Sequence, residues 1–379
     1  MILLDKINNL LFNSSKIKFI LILFFILLFK TGIFYHANLW YHLEVAKSPF
    51  VNFFQNQEHL HHFYLSWFGS FLANIINADD KVSFFLFNLF FSFGFVFLAI
   101  SFLFKEFEDK YARIAILLFF IFPVSGTVFY FVGYDSLTLF LLMLGIYFKK
   151  NYPIVILTGI ALGLQHFEIG IVSTSIMLFA SFINKFLIKK NDIKIVFPLV
   201  FVFGVIFGKL LLFYIFDYFQ IEIISSRTDY YQNILPQMLY TFFFRFYNVI
   251  WFSVGLGWIL IIKYFFSKNV NKSFLISFLC LLLLLPIIPD TTRTFSGMSF
   301  IIIFVFLISN LSFLKDFSKK ECSAFFILWT IIPYGWAWEG VARPSHLSYT
   351  VGYVMKNFVN WFNIPGIEAS WVWPYFHAY

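Results

Sequence analysis

The sequence predicts an all-α, polytopic bundle of transmembrane helices with about eleven spans, and three observations predict it. Apolar residues make up 61% of the 379 and charged residues only 12%, where an ordinary soluble domain is about a quarter charged. Sixty-one residues are Phe, an apolar load that water cannot cover and lipid accepts. Apolar runs, most of them close to the roughly 20 residues that cross a bilayer, alternate with short lysine-rich loops. Together these exclude a water-soluble enzyme. Two cysteines, Cys280 and Cys322, offer neither a disulfide framework nor zinc-ligand spacing.

The expected spans are 19–35, 82–104, 114–131, 137–148, 153–165, 169–184, 195–217, 238–262, 273–288, 297–314 and 323–335. The first follows Lys6, Lys16 and Lys18 and has no small-residue cleavage site behind it, so it reads as a retained signal anchor. The runs 137–148 and 153–165 are short. A re-entrant pair there would put Lys149 and Lys150 inside the bilayer at roughly 2.5–3.5 kcal/mol each, so both are kept as spans.

Eleven spans place the N-terminus, Lys105/Lys110/Arg113, Lys149/Lys150, Lys185/Lys189/Lys190/Lys194, Lys263/Lys268/Lys272 and Lys315/Lys319/Lys320 on one side. That side holds 18 of the 27 basic residues and is cytoplasmic by the positive-inside rule, which leaves the C-terminus outside. The net charge of +8 is thus a topology signal; basic residues scattered over six short loops do not make a nucleic-acid surface. The first outer loop, 36–81, must then contain a segment, Phe63 to Ala78, that lies along the interface or dips in and returns. Asp79-Asp80 reads as the cap of the helix starting near Val82. Residues 1–335 form one helical domain. The tail 336–379 carries five of the ten Trp, and His346 to Phe362 suits the membrane surface.

Once the cytoplasmic lysines are set aside, the remaining ionisable residues gather at outer helix ends, where charge is a functional-site hypothesis by default. The first loop holds His36, His42, His59, His61 and His62 with Asn38, Glu44 and Glu58; later turns add Asp135, His166 and Glu168, Arg227 and Asp229, Asp290 and Arg293, and Glu339 and Arg343. Contiguous histidines more often mark a solvated loop than a metal site, and none here has helical i, i+4 ligand spacing. Asp290-Thr291-Thr292-Arg293 reads equally as a capped turn with a local ion pair and as a turn presenting Arg293 as a phosphate clamp. Lys209 and Arg245 read as snorkelling side chains.

The first loop runs His36-Ala37-Asn38-Leu39-Trp40-Tyr41-His42-Leu43-Glu44-Val45-Ala46, then His61-His62-Phe63-Tyr64-Leu65 and Phe87-Asn88-Leu89-Phe90; the second outer turn is Gly133-Tyr134-Asp135-Ser136. Over residues 19–185 this pattern resembles the GT-C superfamily, polytopic glycosyltransferases that take a sugar from a polyprenyl-phosphate donor outside the cytoplasm. The sequence departs from that pattern at Asn38, where the family has its first carboxylate. The resemblance implies a plasma (inner) membrane enzyme whose partners are the bilayer and a polyprenyl-phosphate-linked sugar. It makes Asp135 or Glu44 the catalytic base and Arg293, with Arg227 or Arg343, the phosphate clamp. Asn38, His42, His62, His166, Glu168 and Asp290 would line the substrate. No cofactor is demanded; a divalent cation between carboxylate and phosphate is the one it leaves open. The alternatives are a polymerase or ligase of lipid-linked saccharides and, from another class, a transporter or flippase.

Overall fold

The computed structural model describes residues 2–36, 38–52, 58–186, 194–223, 227–268, 270–332, 334–338 and 341–344. The expected surface segment 346–362 lies outside them, as do Glu339 and the side chains of Glu58, His59, Arg227, Asp229 and Arg343. Among the described residues the chain is almost wholly helical, with sixteen α-helices. Helix α1 (Ile2–Asn8) runs through a π-helical turn into α2 (Lys16–Thr31), and the first polar loop carries the short helices α3 (Leu39–Lys47) and α4 (Trp67–Ile75). Next come α5 (Lys81–Glu106), α6 (Asp109–Ile121), α7 (Val124–Tyr130), α8 (Tyr134–Tyr147), α9 (Tyr152–Phe186) and α10 (Val196–Tyr218). They are followed by α11 (Arg227–Val254), α12 (Gly257–Phe265), α13 (Lys272–Leu282), α14 (Thr291–Ile302), α15 (Leu311–Lys315) and α16 (Lys319–Ile331). A π-helical stretch, Ile303–Ile308, continues α14, and an antiparallel hairpin, β1 (Gly335–Trp338) and β2 (Val341–Pro344), follows α16.

Local chemistry sets several helix starts. As the sequence implies, Asp80 caps α5, its carboxylate accepting the N–H groups of Val82 at 2.8 Å and Ser83 at 3.2 Å. Asn271 caps α13 through Ser273 N–H, and Ser318 with Glu321 forms a reciprocal capping box on α16.

The eleven expected spans are not what the chain forms. Four helical runs are long and apolar enough to cross a membrane, α5, α9, α10 and Thr291–Ile308; counting three bent pairs as one span each raises this to seven. The apolar runs were delimited by polar clusters, whereas the helices break inside them. Pro123, which cannot donate to a continuing helix, separates α6 from α7 at a 54° bend. Gly255, at φ +52°, turns α11 into α12 at 85°. Helices α8 and α13, with 14 and 11 residues, reach only about 21 and 17 Å at 1.5 Å per residue.

Helix α9 merges the expected runs 153–165 and 169–184 and folds back on itself. His166 lies outside the helical region, at φ −159° and ψ 81°. A Cβ on Gly170 would sit 2.9 Å from Leu162 Cγ, whereas eight residues of straight helix span about 12 Å. The first arm packs on α10 through two matched small-residue motifs. A Cβ on Gly163 would lie 2.2 Å from the Val205 carbonyl, and one on Gly208 equally close to that of Ile160. Gly159 meets Gly204 in the same register, so α10 runs parallel to this arm with the backbones in contact.

Among the described residues, contacts join five of the six basic segments at one end of the bundle. Asp109 there pairs with Lys16 and Arg113, Glu106 with Lys149 and Glu321 with Lys263, while Ser323 donates to Asn8. The flanks are apolar: Ile17, Leu21, Phe25 and Phe29, at every fourth position of α2, are each more than half exposed, a stripe suited to lipid.

Candidate functional site

The opposite end holds a buried cluster of charged and aromatic side chains. Three local arrangements assemble it. The chain after α2 pairs in parallel with residues 129–132: Phe34 N–H donates to Phe129 O at 2.9 Å, and His36 N–H to Val132 O at 2.8 Å. Gly133 permits the close approach, since a Cβ there would lie 3.1 Å from that of His36. The tip of α9 is the second arrangement. Gln165 is fully buried, its Oε1 accepting Gly69 N–H of α4 at 2.6 Å and its Nε2 donating to Tyr134 O at 3.0 Å. The third is the start of α14, where Thr292 Oγ1 donates to Phe252 O at 2.8 Å and accepts Ala337 N–H of β1 at 3.0 Å.

Arg293 stands at the centre. Its Nε bonds the Asp290 carboxylate, and its Nη1 bonds both Asp135 Oδ2 and, at 2.8 Å, the Tyr134 hydroxyl. All three charged side chains are nearly buried, at 8–11% exposure. One donor and one acceptor of the constellation are left over among the described residues: Arg293 Nη2 bears no protein partner, and Asp135 Oδ1 is buried without a hydrogen bond. His166 Nε2 lies 4.0 Å from Asp135 Oδ1, and its Nδ1 lies 3.3 Å from the half-buried Glu168.

Rings enclose Tyr134. The imidazoles of His36, His42 and His166 have centroids 5.5, 4.5 and 5.7 Å from its ring, and the Arg293 guanidinium carbon lies 5.5 Å from it. Burial, with the charge of Arg293 outweighing that of Asp135, lowers the His36 imidazole to about 3. The ring is therefore neutral near pH 7, and its Nδ1 accepts the Asn38 N–H at 3.1 Å.

Of the residues expected from sequence, Asp135, His166, Glu168, Asp290 and Arg293 come together, with His42 against Tyr134. Asn38 is at the margin through its backbone. Glu44 forms an ion pair with Lys47 at 2.8 Å one turn along α3. His62 lies tilted against Phe63, with ring centroids 4.1 Å apart. Arg227 opens α11 and Arg343 lies opposite Trp336 in the hairpin; their side chains lie outside the described residues. The sequence names His36 only among the first-loop histidines and does not mark Tyr134 or Gln165 as site residues. Tyr134 adjoins Asp135 in the quoted turn, and its neighbourhood was the available signal.

A divalent cation finds no cradle here. Among the described residues no three His, Cys, Asp or Glu side chains converge as ligands, and both carboxylates of the cluster are already engaged by Arg293. No protein-family model, curated protein or solved structure matches the chain. What fold and site define is a class: a bundle of apolar helices with a guanidinium, two carboxylates and an imidazole buried together at one end.

Proposed function

We propose that the chain is an integral-membrane transferase of the GT-C kind. It moves a sugar from a polyprenyl-phosphate donor to an acceptor hydroxyl at the end of the bundle opposite the lysine-rich loops. That end faces away from the cytoplasm in a plasma (inner) membrane. The observation that carries the reading is the pair of groups left over in the cluster, Asp135 Oδ1 as acceptor and Arg293 Nη2 as donor.

In this reading the acceptor O–H gives its proton to Asp135 Oδ1 while its oxygen bonds to the anomeric carbon. The bond from that carbon to the phosphate oxygen breaks, and polyprenyl phosphate departs with the electron pair. Arg293, anchored by Asp290 and the Tyr134 hydroxyl, turns Nη2 towards the developing phosphate charge. His166, between Asp135 and the half-buried Glu168, carries the proton outward. Glu44 has no part, because Lys47 holds it. The exposed apolar flanks of α2, α5 and α10 accommodate the polyprenyl chain.

The test uses proteoliposomes loaded with radiolabelled polyprenyl-phosphate hexoses and a mixture of glycan acceptors. Wild-type protein transfers label, and Asp135→Asn lowers transfer by a factor on the order of 100 or more, within the usual span for loss of a general base. Full transfer by the Asp135→Asn protein, or none by the wild type with any donor, defeats the proposal.

A further inference from the structure

The lysine-rich end encloses a cavity of about 930 Å³, within the range of sites that take small molecules. Its floor is the inner surface of the bundle, with Phe102, Ile146, Met177, Phe197, Val305 and Phe306. Its rim carries Lys149, Lys150, Lys194 and Lys268 against one carboxylate, Glu106. Lys149 is accounted for locally: it pairs with Glu106 at 3.2 Å and lies over the Phe102 ring at 4.7 Å. The other three are not. Among the described residues no carboxylate lies within ion-pair distance of Lys150, Lys194 or Lys268, although they border one cavity from three different loops.

The topology rule explains why lysines occupy this end, but it explains neither the cavity nor its polar lining. Helices α9, α10 and α13 begin at the wall while α5, α8 and the stretch Ile303–Ile308 end there, so the helix dipoles offset one another and the lysines set the charge of the cavity. The stretch Ile303–Ile308 widens from α to π geometry as it reaches the cavity, a feature frequent at functional sites. Just beyond it Ser309 Oγ, a lining residue, is buried with no hydrogen-bond partner in the protein.

We infer that this cavity binds the phosphate headgroup of an anionic membrane lipid, with the three lysines and Ser309 on the phosphate and the acyl chain along the Phe-rich floor. An inorganic anion would use the rim alone and gain nothing from the floor. A neutral lipid would leave three unpaired lysines around it. The site is separate from the Arg293 cluster, since α14 and its π continuation, Thr291 to Ile308, set the two about 25 Å apart. The inference therefore stands or falls independently of the transferase reading.

The experiment uses the full chain in phosphatidylcholine nanodiscs and measures binding of fluorescent phosphatidic acid. Diacylglycerol with the same chains is the neutral probe, and inorganic phosphate is the competitor. Each lysine near a phosphate contributes about a five-fold factor, so K150Q/K194Q/K268Q loses on the order of 100-fold in affinity while its thermal midpoint stays unchanged. The variant K315Q/K319Q/K320Q removes three lysines that do not line the cavity and keeps wild-type affinity. Val305→Trp, which fills the floor, weakens phosphatidic acid and leaves the melting temperature in place. Equal losses from both triple variants would reduce the effect to general surface charge and overturn the inference. Equal binding of diacylglycerol, or displacement of the lipid by equimolar inorganic phosphate, would overturn it as well.

Discussion

Replacing Gly163 by Ala tests the packing on which the site rests. The new Cβ would meet the Val205 carbonyl at 2.2 Å, Gly208 Cα at 2.9 Å and Lys209 N at 2.9 Å, where ordinary contact begins at 3.4 Å. All three are backbone atoms, so no side chain can swing aside and α10 must retreat by about 1 Å. Overpacking of this kind costs about 1–3 kcal/mol, and three obstructing atoms put it near the upper end. Alanine returns about 1 kcal/mol of helix propensity over glycine, leaving a net loss of about 2 kcal/mol. Gly94→Ala is the control. There the new Cβ would touch only the half-buried Phe140 ring, at 3.0 Å, which can rotate; that variant should match the wild type within about 0.5 kcal/mol or gain slightly. Reversible unfolding in mixed micelles, followed by far-UV circular dichroism, measures both. A Gly163→Ala protein as stable as wild type would refute the parallel close packing of α9 and α10. With it would go the placement of Gln165, two residues on, between Gly69 and Tyr134.

Arg293→Met should cost about 3–5 kcal/mol, because it strands the Asp135 and Asp290 carboxylates where the guanidinium is the one group paired with both. Adding D135N and D290N should restore most of that loss in the same unfolding measurement, and a triple variant no better than R293M would show that the carboxylates are compensated elsewhere. His36 gives a pH signature. Its folded value of about 3 lies below the ordinary 6.5, so between these the unfolded chain binds a proton that the folded one does not. Stability is unaffected above pH 6.5 and falls as pH drops, by about 2 kcal/mol at pH 5. His36→Asn keeps an acceptor for Asn38 N–H and should flatten that acid limb relative to wild type; parallel limbs for the two proteins would count against a neutral buried imidazole.

Composition made the helical class legible. Span number was not legible. A hydropathy run records what can be buried in lipid, while Pro123 and Gly255 turn helices inside such runs; the reversal at His166 does fall between the expected runs 153–165 and 169–184. Lys30 shows the same limit: it sits inside an apolar run because its ammonium meets the Trp329 and Ile332 carbonyls near the end of α16, a partner 299 residues away that no local pattern announces. The matched glycines of α9 and α10 stand four apart in the chain, a small-residue spacing that the hydropathy runs pass over, and which pair meets which depends on the reversal at His166. Asp135 was readable from its turn. Tyr134 was not, since a tyrosine beside a helix start is unremarkable until three histidines and an arginine surround it.

The sequence left Arg293 balanced between a local ion pair with Asp290 and a clamp for an anion, and the geometry bears on that choice. A stabilising pair needs one carboxylate, and even that seldom improves on apolar packing once burial is counted, because each desolvated charge costs several kcal/mol. Here two carboxylates share one guanidinium, a third acid and an imidazole stand behind them, and two polar positions are left over. As a device for stability this is a poor one. A ligand that donates a hydroxyl proton to Asp135 and accepts from Arg293 Nη2 would satisfy both leftover groups at once, and an acceptor alcohol beside a phosphate ester has that pattern. The position of the cluster also weighs against transport. Transporters break helices near mid-depth so that a substrate can be reached from either side, whereas α9 reverses at the end of the bundle.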